Sequence, residues 1–183
     1  MERPIVENKI AEVLKSHPKG SVLFVDDFLE YGNPESVKKS LLRLKEKEIL
    51  VRLAHGIYLY PKIDKELGVL FPSTEDNAKA IARREKARIV STGVHALNKL
   101  GLSTQVPMKV VYLTDGATRS IKVGKRTIAF KNTSPKNLLT QGEISSLVIQ
   151  ALKTIGQAKV DDETITKIQK LLKKEETQNV IND

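Results

Sequence analysis

The sequence contains no cysteine, and no hydrophobic run approaches the roughly 20 apolar residues that a helix needs to cross a bilayer. Without cysteine, the chain can form neither a disulfide framework nor a thiolate metal site, and it has no cysteine nucleophile. The N-terminal residues Met1-Glu2-Arg3-Pro4 lead into an amphipathic pattern rather than an apolar one. We therefore expect a soluble protein of the reducing cytoplasm.

Sequence signatures of metal binding and catalysis are also absent. His17, His55 and His95 lie far apart in the sequence, and none has a carboxylate or a second histidine at ligand spacing. The tripeptide Thr114-Asp115-Gly116 lacks the glycine pattern of a phosphate-binding loop, and a strand followed by a turn explains it without chemistry. We therefore expect no enzymatic activity, no cofactor and no metal.

Positive charge is concentrated in the middle of the chain. The 31 Lys and Arg outnumber the 22 Asp and Glu, and the resulting formal charge of +9 favours an anionic partner. Residues 77–136 contain 13 basic and only 2 acidic residues, whereas residues 1–62 contain 11 basic and 9 acidic residues. The segments 63–76 and 137–183 are both net acidic.

A helix-turn-helix pattern occupies the first part of the chain. Helical spacing predicts helices at about Ile5–Ser16 and Val25–Tyr31. The tripeptide Gly32-Asn33-Pro34 then combines a helix stop, an N-cap and a proline at the first helical position, which predicts a further helix from Pro34 to Lys47. The expected buried stripe of this last helix repeats at i, i+4 and i+7 and consists of Val37, Leu41 and Leu44.

A β-hairpin is predicted directly after this helix. The runs Ile49–Leu53 and Ile57–Tyr60 are rich in β-forming residues and are separated by Ala54-His55-Gly56, in which Gly56 suits a positive φ. A hairpin in this place is the wing of a winged helix-turn-helix, a fold that places one helix in a DNA groove. We assign residues 1–62 to this domain.

Polar and basic residues of the helix and the wing are the candidate DNA contacts. Recognition helices act through a few long polar side chains in the major groove, and a wing contacts phosphates. A helix face that is only solvated explains the same pattern equally well. The candidates are Ser36, Lys38, Lys39, Arg43 and Lys45 on the helix, and Arg52, His55 and Lys62 at the wing.

The rest of the chain has a mixed pattern of helices and β-hairpins. Pro61–Pro72 is interpreted as a connector, and residues 73–183 as a second, basic domain. Its predicted elements are helices at 77–86, 94–100, 143–155 and 162–174, strands at 89–91 and 108–113, and a hairpin at 120–130. The predicted class is therefore α+β, an N-terminal winged helix-turn-helix followed by a mixed helix and β-hairpin domain.

A second basic surface is predicted in this domain. It has three interpretations: a nucleic-acid surface, a docking face for a protein partner, or solvated charge, and the charge excess favours the first two together. Its candidate residues are Arg83, Arg84, Lys86, Arg88, Arg119, Lys122, Lys125, Arg126 and Lys131.

Two longer segments carry a resemblance to a known family. They are the wing run Leu53-Ala54-His55-Gly56-Ile57-Tyr58-Leu59-Tyr60-Pro61 and the later run Ala96-Leu97-Asn98-Lys99-Leu100-Gly101-Leu102-Ser103-Thr104-Gln105-Val106-Pro107. With them, most of the chain resembles the AbiEi-like antitoxins of bacterial abortive-infection toxin–antitoxin systems, in a shorter branch. The resemblance implies a winged helix that binds inverted repeats in its own promoter, and a C-terminal domain that counteracts a nucleotidyltransferase-like toxin.

Three functions are weighed on these grounds. The leading hypothesis is a DNA-binding transcriptional autoregulator with antitoxin activity, whose partners are double-stranded DNA and a cognate toxin, with no role for a membrane. The alternative is a protein-interaction module in which the winged helix is scaffold and the basic middle region binds a protein. An enzyme acting on nucleic acid or nucleotides ranks lowest, because the sequence contains no catalytic framework.

Overall fold

The computed structural model describes residues 5–140, 142–156 and 159–175, so the N-terminal tetrapeptide lies outside the described residues. The fold is α+β, which confirms the predicted class. The chain divides into two compact units, Met1–Asn77 and Ala78–Asp183.

The first unit has the element order of a winged helix. A three-stranded antiparallel sheet of order β1-β3-β2 accompanies the helices. The elements are α1 (Ile5–Ser16), β1 (Val22–Phe24), a 3-10 helix (Val25–Tyr31), α2 (Pro34–Glu46), β2 (Val51–Ala54), β3 (Ile57–Leu59), β4 (Lys62–Asp64) and β5 (Gly68–Leu70).

The core of the first unit is built from the apolar faces that the helical spacing predicts. Val37, Leu41 and Leu44 of α2 are buried, as the stripe requires. They belong to one cluster with Ile10 and Leu14 of α1 and with residues from the sheet and the 3-10 helix. Burial of this shared apolar surface is what holds the short helices together, since helices of this length are marginal alone.

One prediction for this unit is wrong, and one strand was not predicted. Pro61–Pro72 is not a plain connector, because β4 and β5 form an antiparallel hairpin within it. The predicted short helix Val25–Tyr31 is confirmed with these bounds and is a 3-10 helix, whereas β1 was not predicted. Strands of three residues show little alternation, so the pairing of these strands emerges from tertiary contacts.

The second unit combines a four-stranded sheet with helices. Its elements are most of α3 (Thr74–Arg84), β6 (Ile89–Ser91), α4 (Val94–Lys99), β7 (Lys109–Thr114), β8 (Arg119–Val123), β9 (Arg126–Asn132), a 3-10 helix (Pro135–Leu138), α5 (Glu143–Ile155) and α6 (Asp162–Leu172). The predicted bounds of α5 are confirmed to the residue, and the other predicted helices and strands differ by at most three residues at an end.

The sheet of the second unit is mixed, in the order β6-β7-β9-β8. β8 and β9 form the predicted hairpin, but β9 also pairs parallel to β7 and so lies inside the sheet. Because a parallel pairing joins strands that are distant in sequence, no local pattern announces it. α4, α5 and α6 share a second buried cluster that includes Ala96, Val148, Ala151 and Ile168.

The helices are short and amphipathic. In the part of the chain that the structure describes, none is long and apolar enough to cross a bilayer.

Candidate nucleic-acid interface

The start of α2 is defined by three neighbouring residues. Asn33 is extended and its side-chain oxygen accepts a hydrogen bond from the Ser36 backbone N–H at 2.8 Å, which makes it the N-cap. Pro34 follows at the first helical position. Gly32 lets the chain pass close to α1, because a Cβ there would lie 2.8 Å from a methyl carbon of Val6 and would force that side chain to shift.

The side of α2 that faces away from the core is exposed and carries both signs of charge. Opposite the buried stripe lie Glu35, Lys39, Leu42 and Glu46, spaced at i, i+4, i+7 and i+11. Lys39 Nζ forms an ion pair with Glu35 at 2.7 Å, and this hydrogen bond holds the pKa of the Glu35 carboxyl below its usual value. Because Lys39 offsets only Glu35, the centre of the outward face carries a formal charge of −1, from Glu46.

One flank of α2 is tied to α1. The Glu7 side chain of α1 is only 7% exposed, and its carboxylate forms ion pairs with Lys47 Nζ at 2.6 Å and with Arg43 Nη1 at 3.7 Å. Arg43 is 57% exposed despite this ion pair. It can therefore reach a phosphate, from the side of α2 that faces Glu7. Ser36 lies on the same flank and is half-buried. Neither Glu7 nor Lys47 was among the predicted site residues, although Lys47 lies at i+4 from Arg43.

The other flank of α2 carries two exposed lysines. Lys38 and Lys45 are separated by seven residues and so lie on one side of the helix. Among the residues that the structure describes, neither forms an ion pair. Of the five predicted contacts on α2, these two are the ones whose charge remains available to an external anion.

The wing is a tight hairpin with its own hydrogen bonds. β2 and β3 pair antiparallel with an irregularity between Arg52 and Ala54, and Gly56 at the turn has a φ of 71°. Arg52 Nε donates a hydrogen bond to the Ala54 carbonyl oxygen at 3.3 Å. Arg52 Nη2 lies 3.2 Å from His55 Nδ1. Arg52 and His55 therefore form one exposed basic tip.

Lys62 does not belong to the wing. It is exposed, but it begins β4, which pairs with β5 in a separate two-stranded sheet. The interpretation of Lys62 as a flank of the wing is thus wrong, because the chain leaves the wing sheet after Leu59 and starts a new hairpin.

Two arginines of the predicted second basic surface are engaged by carboxylates. Arg88 Nε lies 3.2 Å from Asp115 Oδ2, and Arg119 Nη2 forms an ion pair with Glu85. The Arg119 guanidinium also lies over the Phe130 ring, 5.5 Å from its centroid. Glu85 and Asp115 are the two acidic residues of the segment 77–136, so both arginines have structural partners within the second unit.

Asp115 is part of a turn that is closed by hydrogen bonds. Its carboxylate accepts the backbone N–H of Arg88 at 2.8 Å, and this bond, with the Arg88 side chain, holds the pKa of Asp115 below its ordinary value. The Asn132 side-chain amide donates to the Gly116 carbonyl at 2.9 Å, and the Thr114 hydroxyl accepts the Gly116 N–H at 3.0 Å. These contacts support the interpretation of Thr114-Asp115-Gly116 as a structural turn.

The register of the sheet distributes the remaining basic residues over two faces. Residues directly opposite on neighbouring strands share a face. Lys109, Thr127 and Lys122 form one such row, and Lys131 lies on the same face, four residues after Thr127. Arg119 and Arg126 lie opposite Phe130 and Val123, on the other face.

The predicted second basic surface is therefore not one continuous surface. Arg83 and Arg84 end α3 and Lys86 follows that helix, while Lys125 lies in the β8–β9 turn. Lys109 was not among the predicted residues of this surface, because it shares a face with Lys122 only through the pairing of β7 with β9. The alternation along each strand was visible in the sequence, but the parallel pairing that joins the strands was not.

The described residues contain no group of three or more side chains that could hold a metal ion. What they contain is an exposed helix after a tight turn, next to a three-stranded sheet with a short basic hairpin. This arrangement defines the class of the first unit as a winged helix.

Comparison with known proteins places the whole chain in a family. Residues 9–180 match the profile of a family described as a family of unknown function (DUF6088), and the chain belongs to that family. No curated protein matches the chain.

Proposed function

We propose that the chain is a DNA-binding transcriptional regulator that contacts duplex DNA through α2 and the wing. The observation that carries this proposal is the exposed flank of α2, where Lys38 and Lys45 project without ion-pair partners among the described residues. A helix of this kind fits the major groove, where long polar side chains reach base edges and phosphates.

The wing supplies a second, sequence-independent contact in this proposal. Arg52 and His55 are exposed at its tip and would meet phosphates, which fix the register of a protein on the duplex. Arg43 and Lys47 would meet the backbone from the α1 side, where Glu7 already sets their positions. Lys39 is the weakest contact, because its charge is shared with Glu35.

The resemblance to AbiEi-like antitoxins supports the biological part of the proposal. On that basis the DNA target is an inverted repeat in the chain's own promoter, and the second unit counteracts a nucleotidyltransferase-like toxin encoded alongside. Both activities belong in the cytoplasm. A toxin gene directly downstream in the genome would support this part, and its absence would leave the DNA-binding part alone.

Binding of a promoter fragment at several salt concentrations tests the DNA-binding part. The logarithm of the affinity should fall linearly with the logarithm of the salt concentration, by roughly 0.9 for each phosphate neutralised. Charge reversal of Lys38, Lys39 and Lys45 should weaken binding and flatten this slope. A matched control reverses Lys170, Lys173 and Lys174, which are exposed at the other end of the chain, and should leave binding largely intact.

Two results would contradict the proposal. One is an affinity that does not respond to salt. The other is an equal loss of binding in the α2 variant and in the control variant, because this would mean that only net charge matters.

A protein-interaction module is the second candidate, and the charge on α2 favours it. Glu35 and Glu46 lie at the centre of the outward face, where a DNA-binding helix gains nothing from carboxylates. The α2 variant separates the two functions. Loss of operator binding supports the regulator, whereas unchanged promoter repression with loss of a protein partner supports the module.

A further inference from the structure

The β4–β5 hairpin has open edges. Its strands pair over three residues each, Lys62–Asp64 with Gly68–Leu70, and among the described residues no further strand joins this sheet. A two-stranded ribbon is marginally stable in water, and an open edge is a template for pairing with another chain. The ribbon thus offers backbone hydrogen-bonding groups that the described part of the chain does not use.

Large apolar side chains are exposed on this ribbon. Ile63 lies directly opposite Val69, and Phe71 follows directly after the end of β5. Ile63 is 71% exposed, Leu67 at the turn is 77% exposed, and Phe71 is 64% exposed. These are the highest values among the large hydrophobic residues that the structure describes. Apolar surface grouped in this way marks an interaction site.

The charges beside Ile63 are complementary to a second copy of themselves. Lys62 and Asp64 flank Ile63 on β4 and lie on the other face of the ribbon. In an antiparallel pair of two β4 strands centred on Ile63, each Lys62 lies opposite the partner's Asp64. Opposite charges in directly paired positions stabilise a sheet, whereas like charges destabilise it.

We propose that the chain forms a symmetric dimer in which the β4 strands of two copies pair antiparallel about an axis at Ile63. The pairing makes one four-stranded sheet from two ribbons and places two Ile63 and two Val69 side chains in one apolar row. The contact is isologous, so it closes as a dimer and does not propagate. The proposal does not depend on DNA binding.

The proposed contact between the two β4 strands is small. A standard interface buries about 800 Å² on each partner, and a pair of three-residue strands with their apolar neighbours provides less. Interfaces of standard size range from micromolar to picomolar affinity, so we expect this smaller contact to form a weak dimer, with a dissociation constant of micromolar order.

Sedimentation velocity of the full chain without DNA tests the proposal, over concentrations from about 1 to 200 µM. The weight-average mass should rise from near one chain of 20.4 kDa toward twice that value, without exceeding it. A mass that stays at one chain throughout overturns the proposal. A mass that grows beyond two chains also overturns it, because it indicates open-ended association through another edge.

Two variants test the position and the register of the contact. Ile63→Lys places like charges at the axis, and Lys62→Glu places a glutamate opposite the partner's Asp64, so each should raise the dissociation constant at least tenfold. Glu66→Lys, at the exposed ribbon turn, is the control and should dimerise as the parent does. Circular dichroism should show that all three variants keep their fold. If both Ile63→Lys and Lys62→Glu dimerise with the dissociation constant of the parent, β4 is not the interface.

Discussion

The acidic residues of this chain mainly hold its basic side chains and its turns. Glu7 binds Lys47 and Arg43 from a buried position, Glu85 pairs with Arg119, and Asp115 binds both the backbone and the side chain of Arg88. Burying a carboxylate without such partners would be costly. The sequence shows these residue types, but not which cation each of them meets.

Asp115 should make the second unit sensitive to acid. Its folded-state pKa is lowered from the ordinary value of 3.8, mainly by the Arg88 backbone N–H, so its contribution to stability is present above about pH 4. The contribution is lost as pH falls through the folded pKa. We expect Asp115→Asn to be less stable than the parent at pH 7, and to lose less stability between pH 4 and pH 2.

Thermal unfolding at these pH values measures the difference. The control is Glu66→Gln, which removes an exposed carboxylate of the β4–β5 turn and should follow the parent curve. Parallel curves for Asp115→Asn and the parent would show that the Arg88 contact contributes nothing.

At the scale of elements, the helices were predicted better than the strands. α1 and α5 have the predicted bounds because their apolar spacing and their helix stops are local signals. β1, β4 and β5 were missed because strands this short give only a weak local signal; in β4 and β5 the residues Lys62, Asp64 and Gly68 are also of types that are depleted in strands. In the candidate interface, the exposed helix and the wing were predicted, but the tie between Glu7 and α2 joins residues 36 and 40 positions apart.

The N-terminus of α5 is capped by a residue from far along the chain. Its N-cap, Gly142, has no side chain to offer, and the Glu175 carboxylate accepts the backbone N–H groups of Ile144 and Ser145 at 2.8 Å each. These are two of the donors that a helix start leaves unpaired. The carboxylate also suits the positive end of the helix dipole.

Glu175→Ala should therefore destabilise the second unit by about 1 kcal/mol, as the loss of an N-cap does. Denaturant unfolding followed by circular dichroism measures the change in the free energy of unfolding. Lys174→Ala alters the neighbouring residue, which is exposed, and should change stability by less than about 0.5 kcal/mol. Equal stability of Glu175→Ala and the parent would refute the capping role.

At the scale of the whole molecule, the chain has two units that each contain a buried cluster. Leu41 is fully buried in the cluster of the first unit, whereas its neighbour Leu42 is 40% exposed. The positive charge is divided unevenly, with its excess in the segment 77–136. The proposed DNA contacts and the bulk of the positive charge therefore belong to different units.

Because each unit has its own buried cluster, a cavity made in one cluster should destabilise that unit and leave the other unit largely unchanged. Leu41→Ala should cost about 2–5 kcal/mol, because it removes buried methyl groups and leaves a void. Hydrogen exchange followed by mass spectrometry should show faster exchange in peptides from residues 5–77 and little change in peptides from residues 78–175. Leu42→Ala serves as the control and should leave both sets nearly unchanged. An equal loss of protection in both sets would mean that the two units unfold together.

The sequence by itself determined the α+β class, the helices, the turn before α2 and the wing, because spacing, caps and turn residues act within a few positions of each other. Tertiary structure alone decided the parallel pairing of β7 with β9, the capping of α5 by Glu175 and the division of the basic residues over two sheet faces. It also decided which cations remain available, since Glu7 engages Arg43 while Lys38 stays exposed. Contacts between distant residues depend on how the elements pack, and packing leaves no local mark in a sequence.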